Sequence, residues 1–254
     1  MNFIKKITSP QWEYKNKFFY FIITTCLGII CFYHLNIGPL MSTDSIGYSD
    51  SADILIALNF NLFDYYSLKT ISNINPSYIY TVPVLLISLT KYFFGDSWQF
   101  AFMISNLILV CLSFIIFSKI LFLIKVRPFI IGLSLPILVL SVDFLTWPRY
   151  VLTDTIFSFL VMLVVYLITK SIIKDKINYF ILIFVIFLIF LTRPTSLPFI
   201  FAVIIFIGIT KTQFNYNPKK ILLLILTIFI LTPLIFTALY LYMNNYLINN
   251  SQAY

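Results

Sequence analysis

The feature that most constrains this chain is a succession of apolar blocks, most of them too long to stay in water. Eight follow one another: Phe18–Leu35, Tyr78–Phe94, Trp98–Phe117, Pro128–Val142, Asp154–Thr169, Tyr179–Leu191, Leu197–Ile209 and Ile221–Tyr242. A helix that crosses the hydrocarbon core of a bilayer needs roughly 20 apolar residues, within a range of about 17–25. Several blocks meet or approach that length. One water-soluble core cannot absorb so much apolar chain. Of the 254 residues 61% are hydrophobic and 10% charged, against about 25% charged in an ordinary soluble domain. The sequence therefore predicts an all-α fold, a polytopic transmembrane helix bundle.

The formal net charge of +8 does not point to nucleic acid. Its basic residues stand in short clusters between apolar blocks, as loop anchors do, and form no basic stripe interleaved with aromatics. Cys26, Cys31 and Cys111 all lie inside apolar blocks. They have neither CxxC spacing nor a neighbouring histidine, so no zinc site or disulfide framework is indicated. At the N-terminus Lys5 and Lys6 come early, but the apolar run begins only near Phe18 and no Ala-x-Ala-like exit follows. A cleaved signal peptide is not expected there; a retained first anchor is.

Which blocks cross is decided by the positive charges, which favour the cytoplasmic side. If Tyr78–Phe94 lies along the outer interface, seven spans remain and the N-terminus is cytoplasmic. Thirteen of the seventeen Lys and Arg residues then fall inside, leaving Lys69, Lys91, Arg149 and Arg193 outside. If all eight blocks cross, only seven of the seventeen stay inside. The seven-span arrangement is therefore expected, with spans near 18–35, 98–118, 128–142, 154–170, 178–192, 196–210 and 220–243. Pro83, Lys91 and its short length independently make Tyr78–Phe94 a poor span. The stretch 36–97 becomes a long external loop with membrane-lying helices near 45–60 and 78–94. Within it, Ser51–Leu58 reads as a short helix with Ser51 as its N-cap.

Seven of the nine acidic residues then face outward, Asp44 and Asp154 among them. Polar groups at membrane depth are functional candidates by default. Asp44, in MSTDSIGYSD, reads either as a general base that takes a proton from a sugar hydroxyl or as a turn or N-cap residue. Arg149, Tyr150 and Asp154 lie in WPRYVLTD. Were that segment helical, Arg149 and Thr153 would share a face, as would Tyr150 and Asp154. Arg149 suits a phosphate; an interfacial salt bridge that caps the next helix is the other reading. Arg193, in TRPTSLPF, reads as a phosphate ligand or as a snorkelling turn residue. His34 reads as an interfacial hydrogen-bonder. No Gly-rich phosphate loop, GxSxG, HExxH or EF-hand pattern occurs.

Together these segments resemble the GT-C superfamily of glycosyltransferases, which use polyprenyl-phosphate sugars. Protein O-mannosyltransferases and the aminoarabinose transferases of lipid A belong to it. Asp44 with Tyr48 and Ala52 is similar to the family's acidic first-loop signature. PSYIYTVPVLLISLTKYFFGDS, from Pro76, is similar to its membrane-lying segment that ends in an aromatic-Gly turn. RYVLTDTIF, from Arg149, resembles its second-loop signature, and TRPTSL, from Thr192, a recurring turn of bacterial members. Ser45 follows Asp44 where many mannosyl-transferring members carry Asp-Glu. Full-length members also continue with further spans or a soluble C-terminal domain, where this sequence ends at Tyr254.

The resemblance implies an inverting transferase in the bacterial cytoplasmic membrane, with its N-terminus cytoplasmic and its site on the outer face. The partners it implies are a polyprenyl-phosphate sugar donor, membrane lipids, and a glycan, lipid or protein acceptor. It implies catalytic roles for Asp44 and Asp154, and substrate contacts from Tyr48, Lys91, Arg149, Tyr150 and Arg193. No organic cofactor is implied; if a divalent metal takes part, Asp44 and Asp154 are its expected ligands. Two other readings of the pattern are a transporter or flippase of lipid-linked saccharide, and a non-catalytic membrane scaffold subunit.

Overall fold

The computed structural model describes residues 10–71, 80–139, 141, 146–174, 179–193, 196, 198–200 and 203. These residues are helical throughout, with short turns between helices. In chain order the helices are α1 (Pro10–Ile37), α2 (Thr43–Ala57), α3 (Leu62–Ile71), α4 (Thr81–Phe94), α5 (Trp98–Leu123), α6 (Pro128–Val139), α7 (Asp154–Lys174) and α8 (Tyr179–Phe190). Two 3-10 turns, Gly95–Ser97 and Trp147–Arg149, complete the set. No β-strand occurs among the described residues, only an isolated parallel bridge between Leu40 and Tyr150.

Two stretches are long and apolar enough to cross a membrane: Thr81–Leu123, of 43 residues, and Asp154–Ser171, of 18. Shorter apolar helices run over Phe21–Ile37, Ile130–Val139 and Phe180–Phe190. Within the first stretch, Gly95 at φ +52° interrupts the right-handed path between α4 and α5, a backbone conformation that glycine adopts at little cost. Of the expected later spans, 220–243 lies outside the described residues, and so does 196–210 except for 196, 198–200 and 203.

Local chemistry sets most helix ends. α1 stops at Gly38, whose φ of +82° suits a left-handed C-cap, with its N–H donated to His34 O at 2.9 Å. α2 starts close to the helix expected near 45–60 and well before the Ser51 cap. Ser42 and Ser45 cap it reciprocally: Ser45 N–H donates to Ser42 Oγ at 3.2 Å, and Ser42 N–H donates to Ser45 Oγ at 3.0 Å. That is a capping box with serine in the position usually held by Glu or Gln. Ser51, expected as the N-cap, is instead buried within the helix. α3 was not expected at all. Asn61 Oδ1 accepts the Phe63 N–H at 3.0 Å, and Asn61 Nδ2 donates to Asp64 Oδ2 at 2.6 Å, so an Asn-x-x-Asp pair starts it.

The chain divides into two compact units. The first comprises 1–46 with 93–177, the second 47–92 with 178–254. In the first, α1, α5 and α6 share a core of Ile23, Cys26, Ile30, Leu107, Val110, Phe114, Ile131, Leu135 and Val139. The spacing within each helix is three or four residues, which stacks side chains on one face. Gly132 permits a close approach of α6 to α1, since a Cβ there would stand 3.3 Å from Ile22 Cδ1. α7 packs along α5 in the same unit. In the second unit, Ser88 Oγ on α4 donates to its own helix at Val84 O (2.8 Å) and to Ala52 O of α2 at 3.3 Å. The Val82 N–H donates to Leu191 O at 3.2 Å.

The core predicts a contrast within α6. Leu135 is fully buried and Leu133 is exposed. Leu135→Ala should cost about 2–5 kcal/mol and Leu133→Ala under about 0.5 kcal/mol. Reversible unfolding of both variants in mixed detergent micelles, read by far-UV circular dichroism, measures the difference.

Candidate functional site

In the first unit two stretches outside the α-helices meet. Gly38, Pro39 and Leu40 follow α1, and Trp147 to Thr153 precede α7. The Leu40 N–H donates to Arg149 O at 2.9 Å, and the Val151 N–H donates to Leu40 O at 3.2 Å. This is the parallel bridge between Leu40 and Tyr150. Because the pairing is parallel, both strands leave it in the same direction. Asp44 follows Leu40 by four residues and Asp154 follows Tyr150 by four residues. Each acid is thus tethered within about 14 Å of the bridge, the reach of four extended residues. Both lie in the first turn of a helix, Asp44 in α2 and Asp154 in α7, where an acidic side chain complements the helix dipole.

The arginine is fixed by the same contact. Arg149 Nε–H donates to Gly38 O at 3.1 Å, across 111 residues of sequence. Its terminal Nη groups make no hydrogen bond among the described residues. Asp44 is exposed, and its carboxylate likewise takes no hydrogen bond or ion pair among the described residues. Capping of α2 falls to Ser42 and Ser45, so Asp44 is not spent as the N-cap. Asp154 is half-buried at the head of α7, next to buried Thr153. Tyr150 is half-buried, with its ring 6.1 Å from that of Trp147.

The helical pairing considered for Arg149 with Thr153 and Tyr150 with Asp154 does not form. Residues 147–149 make a 3-10 turn, Tyr150 is extended at φ −78° and ψ 141°, and α7 starts only at Asp154. The backbone of 149–151 is bonded to Leu40 instead, which a helix would forbid.

One further residue enters this region that the sequence did not single out. Asn106, on α5, is 1% exposed. Its Nδ2 donates to Pro148 O at 3.2 Å and to Tyr150 O at 3.3 Å. The signal was present, as an asparagine inside a 26-residue apolar helix, where polar groups are costly. His34 is fully buried near the end of α1, edge-on to Tyr33 at 5.3 Å.

The other candidates lie in the second unit. Lys91 Nζ donates to Asp53 Oδ2 at 2.7 Å, to Ser49 Oγ at 2.8 Å and to Ser49 O at 3.1 Å, which ties α4 to α2. The Tyr48 ring stands 5.2 Å from that of Tyr80. Tyr66 and Thr81 share a hydroxyl hydrogen bond, and burial pushes the Tyr65 and Tyr66 hydroxyls up, so both remain neutral. Arg193 is half-buried just beyond α8, and its carbonyl accepts the Ser196 N–H at 3.1 Å. No group of three or more His, Cys, Asp or Glu suited to a metal ion lies among the described residues. A divalent ion would find at most two such ligands together there.

No family model, curated protein or solved structure matches this chain.

The ion pair of Lys91 and Asp53 yields a quantitative expectation. The lysine side chain is 11% exposed but the aspartate 61%, so solvent screens the pair. A double-mutant cycle of Lys91→Met and Asp53→Ala should give a coupling no larger than about 1 kcal/mol. Chemical unfolding of the two single variants and the double variant measures it.

Proposed function

We propose that this chain is the membrane module of an inverting glycosyltransferase, one that takes its sugar from a polyprenyl-phosphate carrier at the outer face of the membrane. Seven spans and a membrane-lying α2–α4 region are part of this reading, supported by the distribution of basic residues in the sequence. The observation that carries it is the parallel bridge of Leu40 with Tyr150. It tethers Asp44 and Asp154 at equal chain distance from one bridge, with Arg149 bonded across it.

In this reading the donor's tail lies in lipid and its phosphate meets the unspent Nη groups of Arg149. A guanidinium offers a forked set of donors matched to phosphate oxygens. The Asp44 carboxylate accepts the proton of the acceptor hydroxyl as that oxygen attacks the anomeric carbon. The anomeric C–O bond to phosphate breaks with its electron pair moving to the phosphate, and the configuration inverts. Arg149 stabilises the charge that develops on the departing phosphate. Asp154 orients the acceptor or the base. Tyr150, beside Arg149 in the same segment, is a further candidate for substrate contact.

The test uses the full chain in lipid nanodiscs with a panel of radiolabelled polyprenyl-phosphate sugars, following release of the polyprenyl phosphate. Asp44→Asn should lower transfer by about 10²–10⁴-fold without changing expression or monodispersity. Arg149→Ala should weaken donor use by roughly tenfold or more, as expected for a lost hydrogen bond to a charged group. Wild-type transfer by Asp44→Asn would remove Asp44 from the chemistry. A wild-type protein that consumes no donor of this class would remove the transferase reading itself.

A further inference from the structure

We infer that Asn106 is the positioning residue of this site: it holds the 148–150 backbone against the Gly38–Leu40 segment and so sets where Arg149 points. The inference rests on the site reading above for its consequence in phosphate binding, but its geometry stands by itself. Asn106 is the place where a membrane-depth helix reaches out of its own backbone. Its amide donates to two carbonyls, Pro148 O at 3.2 Å and Tyr150 O at 3.3 Å. Those carbonyls flank Arg149, whose own carbonyl is occupied by the Leu40 N–H at 2.9 Å. Three successive carbonyls of an irregular turn are thus satisfied, the outer two by one side chain.

The alternatives for these carbonyls are poor. Pro148 is buried, and a buried carbonyl left unbonded costs about as much as a lost hydrogen bond. Neither outer carbonyl is bonded within its own helix, since α7 begins only at Asp154. If Asn106 is removed, the turn must move toward another donor or toward water. Movement there slides Tyr150 along Leu40 and withdraws Arg149 Nε from Gly38 O. The consequence is misplacement of the guanidinium, not loss of the helices: α5 stays packed on α7 and on the core through Leu107, Val110 and Phe114.

The experiment has two readouts on the full chain in nanodiscs. The first is the rate of disulfide trapping between Leu40→Cys and Tyr150→Cys, with Cys26, Cys31 and Cys111 replaced by alanine. The second is affinity for farnesyl phosphate, a short polyprenyl phosphate, by calorimetry. Asn106→Leu, which removes both donors at similar volume, should slow trapping and weaken farnesyl phosphate roughly tenfold, the effect of two neutral hydrogen bonds. Asn106→Gln, which keeps the donors, should recover most of both. Leu40→Pro removes the N–H bonded to Arg149 O from the opposite side, so its affinity loss should not add to that of Asn106→Leu; neighbours in one network are non-additive. Trapping at the wild-type rate in Asn106→Leu, or fully additive losses, would overturn the assignment. If Asn106→Leu does not fold, the comparison of Asn106→Gln with Asn106→Asp decides, since the aspartate carboxylate offers the carbonyls no N–H; equal trapping in the two overturns the inference. A wild-type protein that ignores farnesyl phosphate while trapping still depends on Asn106 would leave the positioning role standing and remove the lipid-phosphate reading.

Discussion

Wherever an apolar chain leaves the helix, its backbone N–H and C=O groups lose their automatic partners. In the first unit this constraint falls on 38–40 and 147–153, and the two stretches meet it with each other. Leu40 gives its N–H to Arg149 and takes the N–H of Val151. Gly38 O takes the Arg149 side chain, and Asn106 takes Pro148 O and Tyr150 O. The position of Arg149 and the common direction in which the chain departs toward Asp44 and Asp154 follow from that mutual satisfaction. The candidate site thus lies where two segments outside the α-helices satisfy each other's backbone.

The same accounting separates structural from site-forming polar residues. Most hydroxyls in the helices bond back to their own backbone. Ser113 donates to Leu109 O, Ser118 to Phe114 O, Ser134 to Ile131 O, Ser171 to Leu167 O and Thr192 to Leu188 O, all between 2.6 and 2.8 Å. Such bonds neutralise a polar group at no cost in tertiary structure. An amide is too long and has too many donors to be satisfied that way alone. Asn106 therefore reaches across to a neighbouring segment.

The all-helical character was legible in the sequence because it rests on block length and composition, which are local. The end of α4 at Phe94 was legible for the same reason, as the end of an apolar block, while the aromatic-Gly turn at Gly95 came from the resemblance. The N-cap of α2 was misplaced at Ser51 because the cap uses Ser42 with Ser45, where the usual signal is Ser followed by Glu or Gln. α3 was missed although Asn61-x-x-Asp64 announces it; the apolar count of that segment hid the cap. The non-helical path of 149–153 could not be read locally at all. Its cause is Leu40, more than a hundred residues away, and an isolated WPRYVLTD carries no trace of that partner. Asp44 was the reverse case. Its residue type and place kept two roles open, and the serine cap relieves it of one.

The division of labour among the cations follows from counting donors. Arg149 and Lys91 both stand outside in the expected topology, Arg149 as a candidate for a phosphate and Lys91 for a substrate contact. A lysine ammonium has three donors and an arginine guanidinium a fork of five. Lys91 places its donors on Ser49 O, Ser49 Oγ and Asp53, so a phosphate must displace one of these before it can bind there. Arg149 spends only Nε, on a neutral carbonyl that also fixes its orientation, and its paired Nη groups keep the geometry that grips an oxyanion. A held stem with an unspent fork costs a ligand little ordering when it binds. On that ground Arg149 keeps donors unspent in the first unit, while Lys91 spends its own on joining α4 to α2 in the second.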